Sequence, residues 1–238
     1  MREFIDFFLT HFGFLGHYGP ILLRGVGNTL LLAAVTVGFG SLFGTLMAIC
    51  RLSSSRFLRG FSLAYIEFIR GTPLLVQILL VYFSLSLMFG FSPLVCAAIA
   101  LIINSTAYVA EIVRSGIQAV DKGQTEAARS LGMSKAQAMR LVVLPQAIRN
   151  ILPALGNEFV TVIKESSISQ VIGASELMYS GRSIYSINYR NIEVLIVVSL
   201  IYFILTFTTS RLLRVLERRM RSDEHASVSI KRRPFGGS

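Results

Sequence analysis

Apolar residues along this chain gather into long runs separated by short polar breaks, with little of the strict alternation that marks half-buried strands. Five runs reach the roughly 20 residues that a helix needs to cross a bilayer. They extend from about Val26 to Cys50, Ala64 to Phe89, Pro93 to Val113, Leu152 to Gly173 and Glu193 to Leu213. The pattern predicts an all-α, polytopic membrane protein with five transmembrane helices.

The runs differ in what interrupts them. In the first, Gly40 and Gly44 form a G-x-x-x-G pair, which lets a second helix approach closely; packing within the subunit is favoured over a dimer seam. The second opens with "EFIRGTPLLVQ". Pro73 has no backbone N–H to donate, and Thr72 before it is pushed out of helical geometry, so a break is expected near Gly71–Pro73. Glu67 and Arg70 are spaced to pair on one face, and Gln77 lies deeper, facing a cavity or another helix. In the third run, Asn104, Tyr108, Glu111 and Arg114 follow helical spacing. Glu111 and Arg114 are expected to bridge to the following loop, whereas Asn104 and Tyr108 sit deeper, where they can line a cavity.

The fourth run is anomalous. "LPALGNEFVTVIKESSISQVIG" contains Asn157, Glu158, Lys164 and Glu165. Three charges at a helix centre cost roughly 9 kcal/mol on the insertion scale, against roughly 4 kcal/mol recovered from about nine apolar residues. This helix should therefore be wrapped by others or line a watery cavity, which makes its ionisable residues functional candidates. Asn157, Glu158, Thr161, Glu165 and Ser169 are spaced to share one stripe. Glu158 and Glu165 stand nearly two turns apart, roughly 10 Å along the axis. Two carboxylates on an interior stripe would attract an ammonium or guanidinium group; the alternative is structural, with Lys164 neutralising a Glu and Glu158 hydrated near the helix end.

Composition and charge agree with the membrane class. Of 238 residues, 53% are hydrophobic and 15% charged, against about 25% charged in soluble domains. The net charge of +10 is concentrated in three places. Arg51, Arg56 and Arg59 follow the first run. Lys122, Arg129, Lys135, Arg140 and Arg149 follow the third. Arg211, Arg214, Arg218, Arg219, Arg221, Lys231, Arg232 and Arg233 lie in and after the end of the fifth. Basic loops face the cytoplasm, so the N-terminus is expected outside and the C-terminus inside, with no nucleic-acid partner required. Glu176 and Glu193 balance Arg182 and Arg190 in the loop after the fourth run. Cys50 and Cys96 give neither metal-ligand spacing nor a disulfide framework. The opening "MREFIDFFLTHFGFLGHYGP" has Glu3 and Asp6 where a signal peptide would be basic. Phe4, Ile5, Phe7, Phe8 and Leu9 fit an amphipathic interfacial helix, with a buried or frayed segment as the alternative.

Between the third and fourth runs lies "GQTEAARSLGMSKAQAMRLVVLPQAIRN", Gly123 to Asn150. Thr125 or Gln124 is placed to cap a short helix, with Glu126 in the first turn at the positive end of the dipole. Ala127 and Ala128 offer a small surface that can press into a groove on another protein. Gly132 ends the helix or permits a tight turn. A second helical stretch is expected from Lys135 to Leu144, with Pro145 at the entry to the fourth run. Such a helix, held out in the cytoplasm, reads as a docking device.

Glu126-Ala127-Ala128, then Gly132, then Leu144-Pro145, resembles the EAA loop of permease subunits of bacterial ABC importers. "GNTLLLA", "FIRGTPLLVQ", "AYVAEIVRSGI", "KGQTEAARSLGM", "LPALGNEFVTVIKESSI" and "LERRM" are similar to the branch that carries polar amino acids, in family order from about Gly25 to Met220. The resemblance implies the type I permease fold, with five helices per subunit and two subunits paired as a homo- or heterodimer in the bacterial cytoplasmic membrane. It implies three units: an extracytoplasmic or interfacial segment at 1–24, the transmembrane domain at 25–220 with a coupling loop at about 114–150, and a basic cytoplasmic tail at 221–238. Thr125, Glu126, Ala127, Ala128, Arg129, Leu131, Gly132 and Met133 would form the coupling helix received by a separate ATPase dimer. Glu158, Glu165, Asn157, Thr161, Asn104 and Gln77 would line the substrate pathway, and an extracytoplasmic binding protein would deliver the substrate. The acidic stripe resembles members that carry basic amino acids; glutamine or another neutral polar amino acid is the alternative. The chain has no phosphate-binding loop and no H-E-x-x-H pair, so ATP and Mg would be bound by the partner, with no catalytic residue, metal or cofactor here. Closing of the ATPases would pull the coupling helices and rock the bundles. A channel or scaffold using the loop only for assembly is the competing class.

Overall fold

The computed structural model describes residues 13–231, with side chains described as far as Val215. The interfacial helix expected at Phe4 to Leu9 lies outside the described residues, as does the tail beyond Lys231. Among the described residues all regular structure is helical. Helix α1, Phe14–Leu52, contains Pro20 and runs without interruption past residue 24 into the first apolar run.

Helices α2, Arg56–Gly71, and α3, Leu74–Phe89, divide the second apolar run and bend by 106° where they meet. The cause is the one the sequence supplies. Thr72 (φ −113°, ψ 144°) and Pro73 (φ −63°, ψ 135°) are both extended, as a residue before proline prefers to be. The freed groups are satisfied locally. Gln77 Nε2 donates to the carbonyls of Ile69 (2.8 Å) and Thr72 (3.1 Å) and to Thr72 Oγ1 (2.9 Å). The Ala64–Phe89 run is thus a broken unit and not one straight helix.

Helix α4, Pro93–Gln118, is the hub. Ser92 caps it by accepting from the Val95 N–H, and most of its inner surface is small: Ala97, Ala100, Ser105, Ala107, Ala110 and Gly116 are all buried. Small residues allow close backbone approach where lipid leaves no hydrophobic force between helices. The G-x-x-x-G pair of α1 uses this surface, with Gly40 against Ser105 and Gly44 against Val109 and the Thr106 carbonyl. It is a packing seam inside the subunit. One core joins Ala48, Ile66, Val109, Val113, Ala147 and Ile151; a second, around Leu32, Ile78, Cys96, Ala100 and Ile172, lies toward the other end of α4.

After α4 come the short helices α5, Lys122–Ser130, and α6, Lys135–Ala138, then a π-helical turn, Met139–Val143, that leads straight into α7, Leu144–Glu165. The fourth element therefore begins at Leu144, earlier than the predicted Leu152, because Pro145 sits in its first turn, where a missing N–H is tolerated. From Ser166 to Ile172 the chain winds as a 3-10 helix and stops at Gly173, with φ +83°. Helices α8, Leu177–Asn188, and α9, Asn191–Lys231, complete the chain.

By length and apolarity α1, α4 and α9 as far as Val215 can each cross a membrane, and α2 with α3 can make a fourth crossing. Helix α7 is too polar for that test. It is wrapped instead by α1, α4 and α9: Ala147 and Ile151 join the core with α4, Val162 and Ile163 pack with Ala33 of α1, and Gly156 lies against Leu213 of α9.

Candidate functional site

The polar residues of α7 are sorted by how this wrapping is done. Glu158 points toward α4, where Ser105 Oγ donates to its Oε1 at 2.8 Å. Since Gly40 of α1 lies against the same serine, Glu158 sits at the junction of three helices. Thr161 and Glu165 are half-buried on neighbouring turns, and Asn157 and Lys164 are exposed. Ser169, the predicted end of the stripe, is fully buried. The stripe stops at Glu165 for a geometric reason: a 3-10 helix has about 3.0 residues per turn against 3.6, so the spacing that aligned Ser169 no longer applies.

Asn104 and Gln77 are both buried, and Asn104 Nδ2 donates to Gln77 Oε1 at 3.0 Å. With the three bonds made by Gln77 Nε2, this pair fastens the α2–α3 break to α4. The structure therefore brings Asn104 and Gln77 together, on a different side of α4 neighbourhood from the Glu158–Ser105 contact. Tyr108 is 39% exposed and carries the Arg70 guanidinium over its ring at 5.6 Å. Arg70 is thereby turned to α4 and does not pair with Glu67. Glu111 binds Arg51 at the end of α1 (2.5 Å) and Arg114 one turn along α4. The loop after α4, the predicted partner, is not used, because Arg51 at the end of the adjoining α1 already reaches the carboxylate.

The EAA segment is held differently from its sequence reading. Asp121 is the N-cap of α5, accepting from the Gly123 N–H at 2.7 Å, so the helix starts at Lys122 and Glu126 falls beyond its first turn. Ala128 is 4% exposed and faces inward; Ala127 alone of the two is on the outer surface with Glu126, Arg129 and Leu131. Gly132 adopts φ +85°. The Met133 N–H reaches the Ala128 carbonyl and the Gly132 N–H that of Arg129, the double bond of a Schellman ending. Ser134 and Gln137 then form a reciprocal capping box for α6. The exposed helix is thus fixed at both ends, and Leu131 stands 82% exposed at its tip.

One polar centre is not evident from sequence spacing. Glu176 is fully buried. It caps α8 by accepting from the Met178 and Tyr179 N–H groups (2.7 and 2.6 Å), and Tyr202 Oη of α9 donates to it at 2.7 Å. Beside it, Leu177 N–H donates to Thr29 Oγ1 and Asn28 Nδ2 to the Ser175 carbonyl, both on α1. Its only sequence signal is an acid just ahead of a helix.

The profile of the family described as binding-protein-dependent transport system inner membrane component matches residues 40–222. This chain belongs to that family. Among relatives of this permease, the arginine transport system permease protein ArtQ of Bacillus subtilis is 38% identical over 207 residues, covering 86% of this chain and 94% of the relative. The glutamine transport system permease protein GlnP of Escherichia coli is 38% identical over 205 residues, covering 85% and 94%. The crystal structure of an amino acid ABC transporter with histidines superposes with a TM-score of 0.83 at 50% identity, covering 86% of the permease and 96% of that chain. The inward-facing MetNI methionine ABC transporter, at 22% identity and a TM-score of 0.67, shares the fold. The permease thus has the type I importer fold and is a transport subunit of an inner-membrane system.

Proposed function

We propose that this chain is the permease of an importer for a polar amino acid, basic by preference, working as one of two permease subunits. Its similarity over nearly its whole length to permeases named for arginine and glutamine carries the amino-acid assignment. The basic preference rests on Glu158 and Glu165, two carboxylates on a polar helix that has one side open in the single subunit. Asn157 and Thr161 extend that lining, whereas Asn104 and Gln77, buried against each other, brace α4 behind it and do not face it. A cation leaving water for this site meets the two negative charges that α7 carries, which offsets part of its desolvation. In this reading α7 is the fifth crossing of a 25–220 transmembrane domain, flanked by the segment at 1–24 and the tail at 221–238, and its open side is completed by the second subunit.

Helix α5, with Thr125 to Met133, enters a groove on a separate ATPase that binds ATP and Mg, and Ala127 and Leu131 make the contact. An extracytoplasmic binding protein supplies the amino acid. The N-terminus is outside and the α5 loop cytoplasmic, following the arginine and lysine distribution.

The test is uptake into vesicles holding the permease, its ATPase and its binding protein. Glu158→Gln and Glu165→Gln should each lower ATP-driven arginine uptake about tenfold, the effect of losing a modest charge interaction of about 1.4 kcal/mol, and should leave glutamine uptake within about twofold. Equal losses for both amino acids would sink the cation site. Gly132→Asp should stop uptake of both, and full activity in that variant would remove α5 from coupling.

A further inference from the structure

Where α1 ends and α2 begins lies an open cleft of about 460 Å³ whose lining includes Arg51, Arg56, Arg59, Arg114, Gly60 and Leu63. No acidic residue lines it. Glu111 bonds to Arg51 and Arg114 and so offsets one of the four charges. Arg56 and Arg59 form no ion pair among the described residues. The first turn of α2 adds to the field: Ser55 is extended and gives no side-chain cap, so the positive end of the helix dipole stays open beside Arg56. Nothing in the pathway or the coupling helix uses this cluster.

Arg51 and Arg114 already spend donors on Glu111, but Arg56 and Arg59 each present an unused fork of donors, the geometry that matches phosphate oxygens. The surroundings decide which phosphate. Phe57 and Phe61, one turn apart on α2 and neighbours in sequence of Arg56 and Gly60, are 79% and 55% exposed on an adjoining face of the helix, and Phe68 further along α2 is 64% exposed. The 106° bend lays α2 across the axis of α3. A helix with arginines beside exposed phenylalanines, lying across a membrane helix, belongs at the headgroup boundary. Basic pockets between helices on the cytoplasmic side suit anionic lipid headgroups. We propose that this cleft binds the headgroup phosphate of an anionic phospholipid, with Arg56 and Arg59 as its main ligands and the acyl chains lying over Phe57 and Phe61. The assignment to the inner leaflet rests on the orientation proposed above; binding itself does not.

The full chain purified in detergent, titrated with phosphatidylglycerol or phosphatidylcholine and read by native mass spectrometry, tests this. The wild-type chain should retain phosphatidylglycerol preferentially. Arg56→Gln with Arg59→Gln should lower phosphatidylglycerol adducts about tenfold while phosphatidylcholine adducts stay unchanged. Gly60→Glu is the second variant. A β-carbon there meets nothing within 4 Å, so it introduces a carboxylate into the cleft without a clash and should produce the same selective loss. Undiminished phosphatidylglycerol in both variants would overturn the proposal, and so would a parallel fall in both lipids. Inorganic phosphate bound by wild type and lost in the variants, with phosphatidylglycerol unaffected, would make this a free-anion site and equally overturn it.

Discussion

At Gly44 a β-carbon would stand 2.7 Å from Val109 Cβ and 2.9 Å from the Thr106 carbonyl oxygen. Neither neighbour is the end of a flexible side chain, so α1 would have to move away from α4. Gly44→Val should therefore cost about 1–3 kcal/mol, as overpacking does. Gly38→Ala, inside the same helix with nothing within 4 Å, should be neutral or stabilise by up to about 1 kcal/mol. Thermal unfolding of the detergent-solubilised chain compares them, and equal melting temperatures would refute the seam. Gly40 and Gly44 are legible in the sequence because their four-residue spacing names a face. Gly116, whose β-carbon would lie 2.4 Å from Ile151 Cγ1, is not legible: what makes it tight is a residue on another helix. Glu176 is hidden for the same reason. Two of its donors are local, but Tyr202 comes from α9, and only the folded chain turns a loop charge into a buried cap.

Among the elements, the α2–α3 break shows how a local signal and a tertiary lock combine. Pro73 and Thr72 predict the bend, and the structure has it. What the sequence does not reveal is that Gln77 and Asn104 hold it. Gln77→Leu removes the donor to the Ile69 and Thr72 carbonyls and leaves the Asn104 amide without its acceptor, which should destabilise by about 1–3 kcal/mol. Adding Asn104→Leu should recover part of that loss, because removing both partners of a buried bond is milder than removing one. Additive losses in the double-mutant melting curves would show that the two amides act separately. The EAA helix is the converse case. Its existence and its glycine stop follow from local residue types. Its start and its exposed face do not, since Asp121 outcompetes Gln124 and Thr125 as cap by bonding the Gly123 N–H, and Ala128 turns inward. A short helix anchored by packing takes its rotation from its neighbours.

For the whole molecule, the polar α7 is the feature that organises the rest. The charge sum says it cannot face lipid alone, and the chain answers by placing α1, α4 and α9 around it. That much is legible, because charges in an apolar run have few physical solutions. The side of the membrane on which the α5 loop lies is a separate matter, set by where the arginines and lysines fall in sequence. With Cys50 and Cys96 replaced by Ala, Leu131→Cys at the exposed tip after α5 and Ser92→Cys at the cap of α4 mark opposite ends of the bundle. In intact cells a membrane-impermeant maleimide should label Ser92→Cys and leave Leu131→Cys unlabelled. In inside-out vesicles the pattern should reverse, since residue 131 is 82% exposed and open to reagent from its own side. Labelling of Leu131→Cys in intact cells would invert the topology. It would place α5 beyond reach of any cytoplasmic ATPase, so the orientation and the coupling role fall together in this one measurement.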